Sequence, residues 1–116
     1  MLIIVGIISP TMINAEESDN AALNVRHYHN RSLAASCAAC HGTNGNAVGN
    51  GITLAEMNNK YFITQMLAFK SGKRVATVMH HHAKGLNDQE VSDLAEYFFA
   101  QPSHHTTVLQ SQKLLP

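Results

Sequence analysis

The whole cysteine content of this 116-residue chain lies in one five-residue run, Cys37-Ala38-Ala39-Cys40-His41. Two cysteines are too few for the several disulfides that hold a small secreted domain together, and a zinc ribbon would need a second cysteine pair. A thioredoxin-like redox pair belongs to a βαβ unit, and no strand pattern precedes Cys37. A plain disulfide would not require His41. The run therefore predicts a site in which both thiols and the imidazole act together.

The C-x-x-C-H spacing is the attachment signature of a c-type haem. Cysteines at positions i and i+3 lie on one side of a helical turn, where both thiols can bond the two vinyl groups of one haem. The histidine that follows then faces the iron. The sequence therefore predicts one covalently bound haem c, attached at Cys37 and Cys40, with His41 as the proximal iron ligand.

The composition excludes other classes of protein. Eight Lys and Arg balance eight Asp and Glu, so the formal net charge is zero with neutral histidines. A strongly basic nucleic-acid binder is thereby excluded, and docking to partners must rely on local patches. With 45% hydrophobic and 14% charged residues, the chain is also too apolar to be disordered.

The pattern of apolar residues predicts an all-α chain with long loops. Helices are predicted over 25–39, over 60–70 and from Asn87 to Pro102, with loops over 42–51 and 71–85 between them. The third helix has the strongest signals, a capping box formed by Asn87 and Glu90 and a stripe of apolar residues. That stripe consists of Val91, Leu94, Ala95 and Phe98.

The N-terminus predicts export. Residues 2–8 are apolar but too few to span a membrane, and small and acidic residues follow them, as in a secretory signal. We therefore expect a signal peptide over 1–15, a loose lead-in over 16–24, the haem domain over 25–101 and a tail over 102–116. A buried N-terminal strand or an uncleaved anchor is the alternative reading of the apolar run.

A haem held by one histidine has a second axial position, for which methionine is the expected soft ligand. Met79 lies in the predicted 71–85 loop between two helices, where it can reach across a haem, and it is favoured over Met57. Met66 lies on the helical stripe with Phe62 and Phe69, where core packing is the better interpretation.

Eight histidines are many for so short a chain. Any of His80, His81 and His82 can bind iron in principle and would then give bis-histidine ligation at a lower potential. A solvated polar patch is the preferred interpretation of these three. The remaining histidines outside the attachment run are expected at the surface, namely His27, His29, His104 and His105.

Five stretches of the chain resemble class I c-type cytochromes and, more narrowly, the haem subunits of flavocytochrome c sulfide dehydrogenases. They are CAACHGTNG at 37–45, FKSGKR at 69–74, TVM at 77–79, AKGL at 83–86 and LAEYF at 94–98. The resemblance spans about 33–101. It implies a class I cytochrome c fold with three to four helices around the haem, and it makes Met79 the axial ligand opposite His41.

The resemblance also implies a function. In that family the haem subunit is not catalytic by itself but passes electrons from a sulfide-oxidising flavoprotein subunit to a soluble cytochrome, in the periplasm. A free-standing periplasmic electron carrier and an open-site haem sensor are the alternatives. Many class I cytochromes place a proline after the attachment run, whose carbonyl orients the proximal histidine. This chain has no proline between Pro10 and Pro102, so another carbonyl within 49–54 is expected to orient His41.

Overall fold

A computed structural model describes residues 15–104, which form an all-α structure as predicted, with no strand in that range. Its helices are α1 (Ala15–Ala35), α2 (Ala38–His41), α3 (Asn59–Lys70), α4 (Met79–Lys84) and α5 (Asp88–Phe99), with a 3-10 turn over Thr43–Gly45. The predicted signal segment, apart from Ala15, and the tail beyond His104 lie outside the described residues. Within them, no helix is both long and apolar enough to cross a membrane.

The first helix differs from its prediction at both ends. It begins at Ala15, so residues 16–24 are helical and not a loose lead-in. No glycine or proline interrupts this stretch, and the acidic side chains of Glu16 and Glu17 favour the positive end of the helix dipole. At its other end the helix stops at Ala35, because the backbone turns over 33–37 and the Ser36 hydroxyl donates to the Leu33 carbonyl at 2.7 Å.

The core is centred on α5, whose start matches the prediction. The Asn87 side chain accepts a hydrogen bond from the Glu90 amide, and the Glu90 carboxylate accepts one from the Asn87 amide, both at 2.8 Å. All four residues of the predicted apolar stripe are buried, with at most 1% of each exposed. Asp93, also buried, accepts from Arg26 of α1 at 2.7 Å, which ties the first helix to the last.

Helix α3 also forms as predicted and packs against α5. The Asn58 side chain caps its start by accepting from the Tyr61 amide at 3.1 Å. Its buried face consists of Phe62, Met66 and Phe69. The Phe62 ring lies 5.8 Å, centre to centre, from the Phe98 ring of α5. The prediction that Met66 belongs to the core is confirmed.

The predicted loop over 71–85 is wrong in its second half, which contains the short helix α4. Met79 is therefore the first residue of a helix and not a loop residue. Six residues are too few to form a stable helix alone. This helix forms because Ala83 is completely buried against the core, so tertiary packing stabilises it.

The chain after α5 returns to the loop that follows the attachment run. The Asn46 side chain donates to the Pro102 carbonyl at 3.0 Å and accepts from the His104 amide at 2.8 Å. The Glu56 amide also donates to the Phe98 carbonyl at 2.9 Å. These bonds hold the loop between α2 and α3 against the end of α5.

Gly45 is where this loop comes closest to α5. Its carbonyl accepts from the amides of Leu54 at 2.7 Å and Ala55 at 3.1 Å. A Cβ atom there would lie 2.8 Å from the Phe98 ring and 2.9 Å from the Ala55 backbone nitrogen. The residue also has a φ of +77°, which side chains disfavour. Glycine is therefore required by both space and backbone conformation.

We expect Gly45→Ala to lower the free energy of unfolding of the haem-bound protein by about 2–5 kcal/mol, since left-handed strain and overpacking add. Gly72→Ala is the matched control, because Gly72 has a φ of +76° and nothing within 4 Å of its virtual Cβ atom. Gly72→Ala should lower the free energy of unfolding by only about 1–2 kcal/mol. Denaturant unfolding measures both, and equal losses would contradict the close packing at Gly45.

Candidate functional site

The three functional side chains of the attachment run lie on one helical turn. Cys37 is the residue before α2, and its carbonyl accepts from the amides of Cys40 at 3.3 Å and His41 at 2.9 Å. All three residues line one cavity of about 260 Å³. The structure therefore brings together the residues that the sequence predicts to act together.

The two thiols differ in environment. Cys37 is half-buried and Cys40 is exposed. Burial raises the pKa of the Cys37 thiol above its ordinary value, and a contact with the Ser36 hydroxyl opposes this shift. The Cys37 thiol is therefore neutral at physiological pH.

His41 is oriented by a backbone carbonyl. Its Nδ1 atom lies 2.7 Å from the carbonyl oxygen of Ile52. Since a carbonyl can only accept, Nδ1 carries the proton and donates it, which leaves the lone pair of Nε2 available to a metal. The expectation of a carbonyl within 49–54 is confirmed, and Ile52 supplies it without the proline of many class I cytochromes.

Gly51 allows the Ile52 carbonyl to reach His41. A Cβ atom at Gly51 would lie 3.0 Å from the Cys40 carbonyl oxygen and 2.9 Å from the Ala47 Cβ atom. The backbone of the loop therefore lies directly against the attachment turn. This close approach was not predicted from the sequence, although the number of glycines in the loop was a signal for it.

The attachment turn opens into two neighbouring cavities of about 260 and 100 Å³. Because they share five lining residues, they form one cleft, which we call the α2–α4 cleft. The shared residues are Cys37, His41, Met66, Met79 and Leu94. The rest of the smaller cavity is mostly apolar and is lined by Ile52, Leu54, Met57, Tyr61, Phe62, Gln65, Phe69 and Arg74.

Three methionines line the α2–α4 cleft, in different ways. Met66 is 7% exposed and belongs to the packed core of α3, whereas Met57 lines only the smaller cavity. Met79 is partly buried at the start of α4 and lines both cavities. Met66 also lines both cavities, but it is packed in the core, so Met79 is the partly buried methionine that shares the whole cleft with His41.

Of the three consecutive histidines, only His82 lines the cleft within the described residues. It lies three residues after Met79, so helical geometry places both on one face of α4, and this spacing is a sequence signal for it. The rings of His80 and His81 lie 3.9 Å apart, centre to centre, and line neither cavity. Within residues 15–104, no group of three or more His, Cys, Asp and Glu is placed to hold a further metal.

The predicted surface histidines are exposed where the structure describes them, at His27, His29 and His104; His105 lies outside the described residues. The polar side chains of the smaller cavity, Tyr61, Gln65 and Arg74, were not predicted from the sequence. Tyr61 and Gln65 lie four residues apart on α3, and this helical spacing is a sequence signal for a shared face. Arg74 lies in the FKSGKR stretch beyond α3, and the fold brings it to the same cavity.

The residues of the cleft fit a covalently attached haem. Its apolar walls suit a large flat macrocycle, and two thiols on one turn suit attachment at two points. An imidazole with a free Nε2 and a thioether across the same cleft form a donor set of the kind that holds haem iron.

Comparison with known proteins points to one family. The family model described as Cytochrome c matches residues 30–98. Over 66 residues the chain is 42% identical to the cytochrome subunit of sulfide dehydrogenase from Chlorobaculum tepidum. The matched region covers 57% of this chain and 60% of that protein. Over 72 residues it is 41% identical to cytochrome c4 from Pseudomonas aeruginosa, covering 61% of this chain and 36% of that protein.

A third relative is matched over more of its own length. The chain is 36% identical over 69 residues to cytochrome c-553 from Helicobacter pylori, covering 58% of this chain and 72% of that protein. The chain thus spans less than two thirds of the length of the first two relatives and more than two thirds of the third.

We expect Gly51→Ala to push the Ile52 carbonyl away from the His41 ring. In the haem-bound protein, solvent exchange of the proton on His41 Nδ1 should then become up to about fivefold faster, because a hydrogen bond worth about 1 kcal/mol is weakened. NMR of ¹⁵N-histidine-labelled protein measures this exchange. Gly85→Ala is the control, since its nearest neighbour would lie at an ordinary 3.5 Å. Unchanged exchange in Gly51→Ala would contradict the role of the close approach.

Proposed function

Because the chain belongs to the cytochrome c family and so transfers electrons through a covalently bound haem c, we propose that it is the haem subunit of a sulfide dehydrogenase. The all-α architecture agrees with the cytochrome c fold, although two of the five helices described in 15–104 are short additions to the three long ones. The observation that carries the proposal is the 42% identity to the Chlorobaculum tepidum subunit.

We assign the haem-binding roles residue by residue. Cys37 and Cys40 would attach the haem, and His41 and Met79 would bind its iron. The haem supplies an iron that accepts and releases one electron. The supporting geometry is the shared cleft, together with the hydrogen bond that turns Nε2 of His41 away from the Ile52 carbonyl.

The protein's own contribution is to set the reduction potential of the haem and to keep water out of the cleft. A methionine thioether opposite a histidine raises the reduction potential relative to two histidines. Leu94 and Phe62 in the walls of the cleft are 1% and 4% exposed and belong to the core, so the walls of the cleft are apolar and exclude water. A rigid, apolar surround keeps the reorganisation that accompanies electron transfer small.

An unequal distribution of charge supports docking through a local patch. Residues 57–87, which contain α3 and α4, carry five lysines and arginines and no aspartate or glutamate. Residues 88–104 carry four acidic residues and no lysine or arginine. The net charge of zero therefore conceals a basic segment, 57–87, whose helices α3 and α4 contribute to the cleft and in which Lys70 is paired with Asp88. We propose that a flavoprotein subunit and a soluble cytochrome acceptor dock there.

A free-standing electron carrier is the second candidate. It is favoured by the match to cytochrome c-553 from Helicobacter pylori, of which the chain covers 72%. Under both candidate functions the protein is periplasmic. This location is supported by the signal peptide predicted over 1–15 and by the resemblance to periplasmic cytochromes. Cell fractionation tests this location directly.

Replacing Met79 by alanine should remove the thioether from the iron. We expect the weak absorption band that thioether ligation gives ferric haem at the red end of the spectrum to disappear. The potential should fall by about 100 mV or more. Met57→Ala is the control and should keep both. Retention of the band and the potential by Met79→Ala would contradict the assigned ligand.

The same variant decides which histidine can replace the methionine. If the Met79→Ala protein is six-coordinate, adding His82→Ala should make it five-coordinate and able to bind CO, whereas adding His81→Ala should not. If His81→Ala has the larger effect, the placement of His82 at the cleft does not determine ligation.

Isolation of the native protein separates the two candidates. We expect it to copurify with a flavoprotein and to be reduced when sulfide is added to the complex. Thiosulfate in place of sulfide is the control and should not reduce it. Recovery of the chain alone, together with failure of sulfide to reduce it in the cell extract, would favour the free-standing carrier.

A further inference from the structure

Two asparagines of the chain are followed directly by glycine, in the pairs Asn44-Gly45 and Asn50-Gly51. Asparagine is a thermally labile residue. A following glycine increases this lability, because no side chain hinders the approach of the glycine nitrogen to the asparagine side chain. Both pairs lie between α2 and α3. The two pairs are equivalent in sequence, so their surroundings decide which of them reacts.

The first pair is protected by hydrogen bonds on both groups that would react. The Asn44 side-chain oxygen accepts from the Tyr97 hydroxyl at 3.0 Å, and the Gly45 amide donates to the Gly42 carbonyl at 3.0 Å. Gly45 is also buried. The Gly45 nitrogen can therefore reach the Asn44 side chain only if both hydrogen bonds break within a packed segment.

The second pair has no such protection. Asn50 and Gly51 are both exposed. Within residues 15–104, neither the Asn50 side chain nor the Gly51 amide forms a hydrogen bond. Asn50 lies in a turn directly after Gly49, and nothing lies within 4 Å of the virtual Cβ atom of Gly49. The Asn50 side chain and the preceding backbone therefore have room to rotate towards the Gly51 nitrogen.

We propose that Asn50 is a site of spontaneous deamidation and that the product weakens the hydrogen bond that orients His41. The Gly51 nitrogen attacks the side-chain carbonyl carbon of Asn50. A new C–N bond forms, the bond to the side-chain nitrogen breaks, and ammonia leaves with the amide proton. Water then opens the cyclic imide at one of its two carbonyls, which gives aspartate or isoaspartate. No electron is transferred, and water is the co-reactant.

Isoaspartate changes the backbone beside the attachment turn. In this product the main chain runs through the former side chain, so one extra carbon precedes Gly51. Gly51 is closely packed, since a Cβ atom there would lie 2.9 Å from the Ala47 Cβ atom and 3.0 Å from the Cys40 carbonyl oxygen. The extra carbon should therefore displace the next carbonyl, that of Ile52, which lies 2.7 Å from His41 Nδ1.

The first test uses the unaltered haem-bound protein, incubated at mildly alkaline pH and then digested for mass spectrometry. We expect the mass change of amide-to-acid conversion to appear at least about tenfold faster at Asn50 than at Asn44, because two hydrogen bonds protect Asn44-Gly45. In the same chain unfolded in denaturant, the two rates should agree within about threefold, since both glycines are then unhindered. Conversion in the folded protein that is no faster at Asn50 than at Asn44 would overturn the proposal.

Enzymatic methylation of isoaspartyl carboxylates measures the product that lengthens the backbone. Aged wild-type protein should accept methyl groups. Aged Asn50→Gln should accept far fewer, because the longer side chain would have to close a larger and less favourable ring. Equal methylation of the two aged proteins would show that the isoaspartate forms elsewhere and would overturn the proposal.

The effect on His41 is measured by NMR of the haem-bound protein. In aged protein enriched in isoaspartate, the proton on His41 Nδ1 should exchange with solvent up to about fivefold faster than in fresh protein. Freshly prepared Asn50→Asp is the control and should exchange like fresh wild type, because it adds the same charge without the extra backbone carbon. Equal exchange in fresh and aged protein would overturn the link to His41.

These outcomes are independent of the proposed function, because deamidation requires neither the haem nor a redox partner. The proposed function fails instead if the wild-type chain does not attach haem at Cys37 and Cys40.

Discussion

The hydrogen bond between His41 and the Ile52 carbonyl is the interaction on which the site depends. It joins the attachment turn to the loop between α2 and α3, and it fixes both the tautomer and the direction of the ring. The loop is held in turn by the bonds of the Gly45 carbonyl and by contact with Phe98. The orientation of the His41 imidazole therefore depends on how the loop packs against the last helix, α5.

The core and the cleft use the same side chains. Leu94, Phe62 and Met66 belong to the buried cluster and also line the space between His41 and Met79. A haem in that space extends the core of the protein, so binding it and folding the chain favour each other. This coupling explains how a chain with one modest cluster of buried residues can hold a rigid redox site.

The features that could be predicted from sequence are those that local chemistry determines. The cap at Asn87, the stripe of α5 and the bounds of α3 depend on residues within a few positions of one another, and they appear as expected. Helix α4 could not be predicted because its formation depends on the burial of Ala83 against distant residues. The place of Arg74 in the smaller cavity could not be predicted for the same reason, since that cavity is assembled from several elements.

The proposed iron ligands are His41 and Met79, which line the same cleft. This ligand pair needs a direct test. It is tested most directly by proton NMR of the reduced protein, in which each methionine methyl group is assigned through ¹³C labelling. A methyl group bound over the haem plane is shifted strongly upfield by the ring current. We expect one such methyl group, belonging to Met79. Its absence, or its assignment to Met57 or Met66, would show that Met79 does not bind the iron.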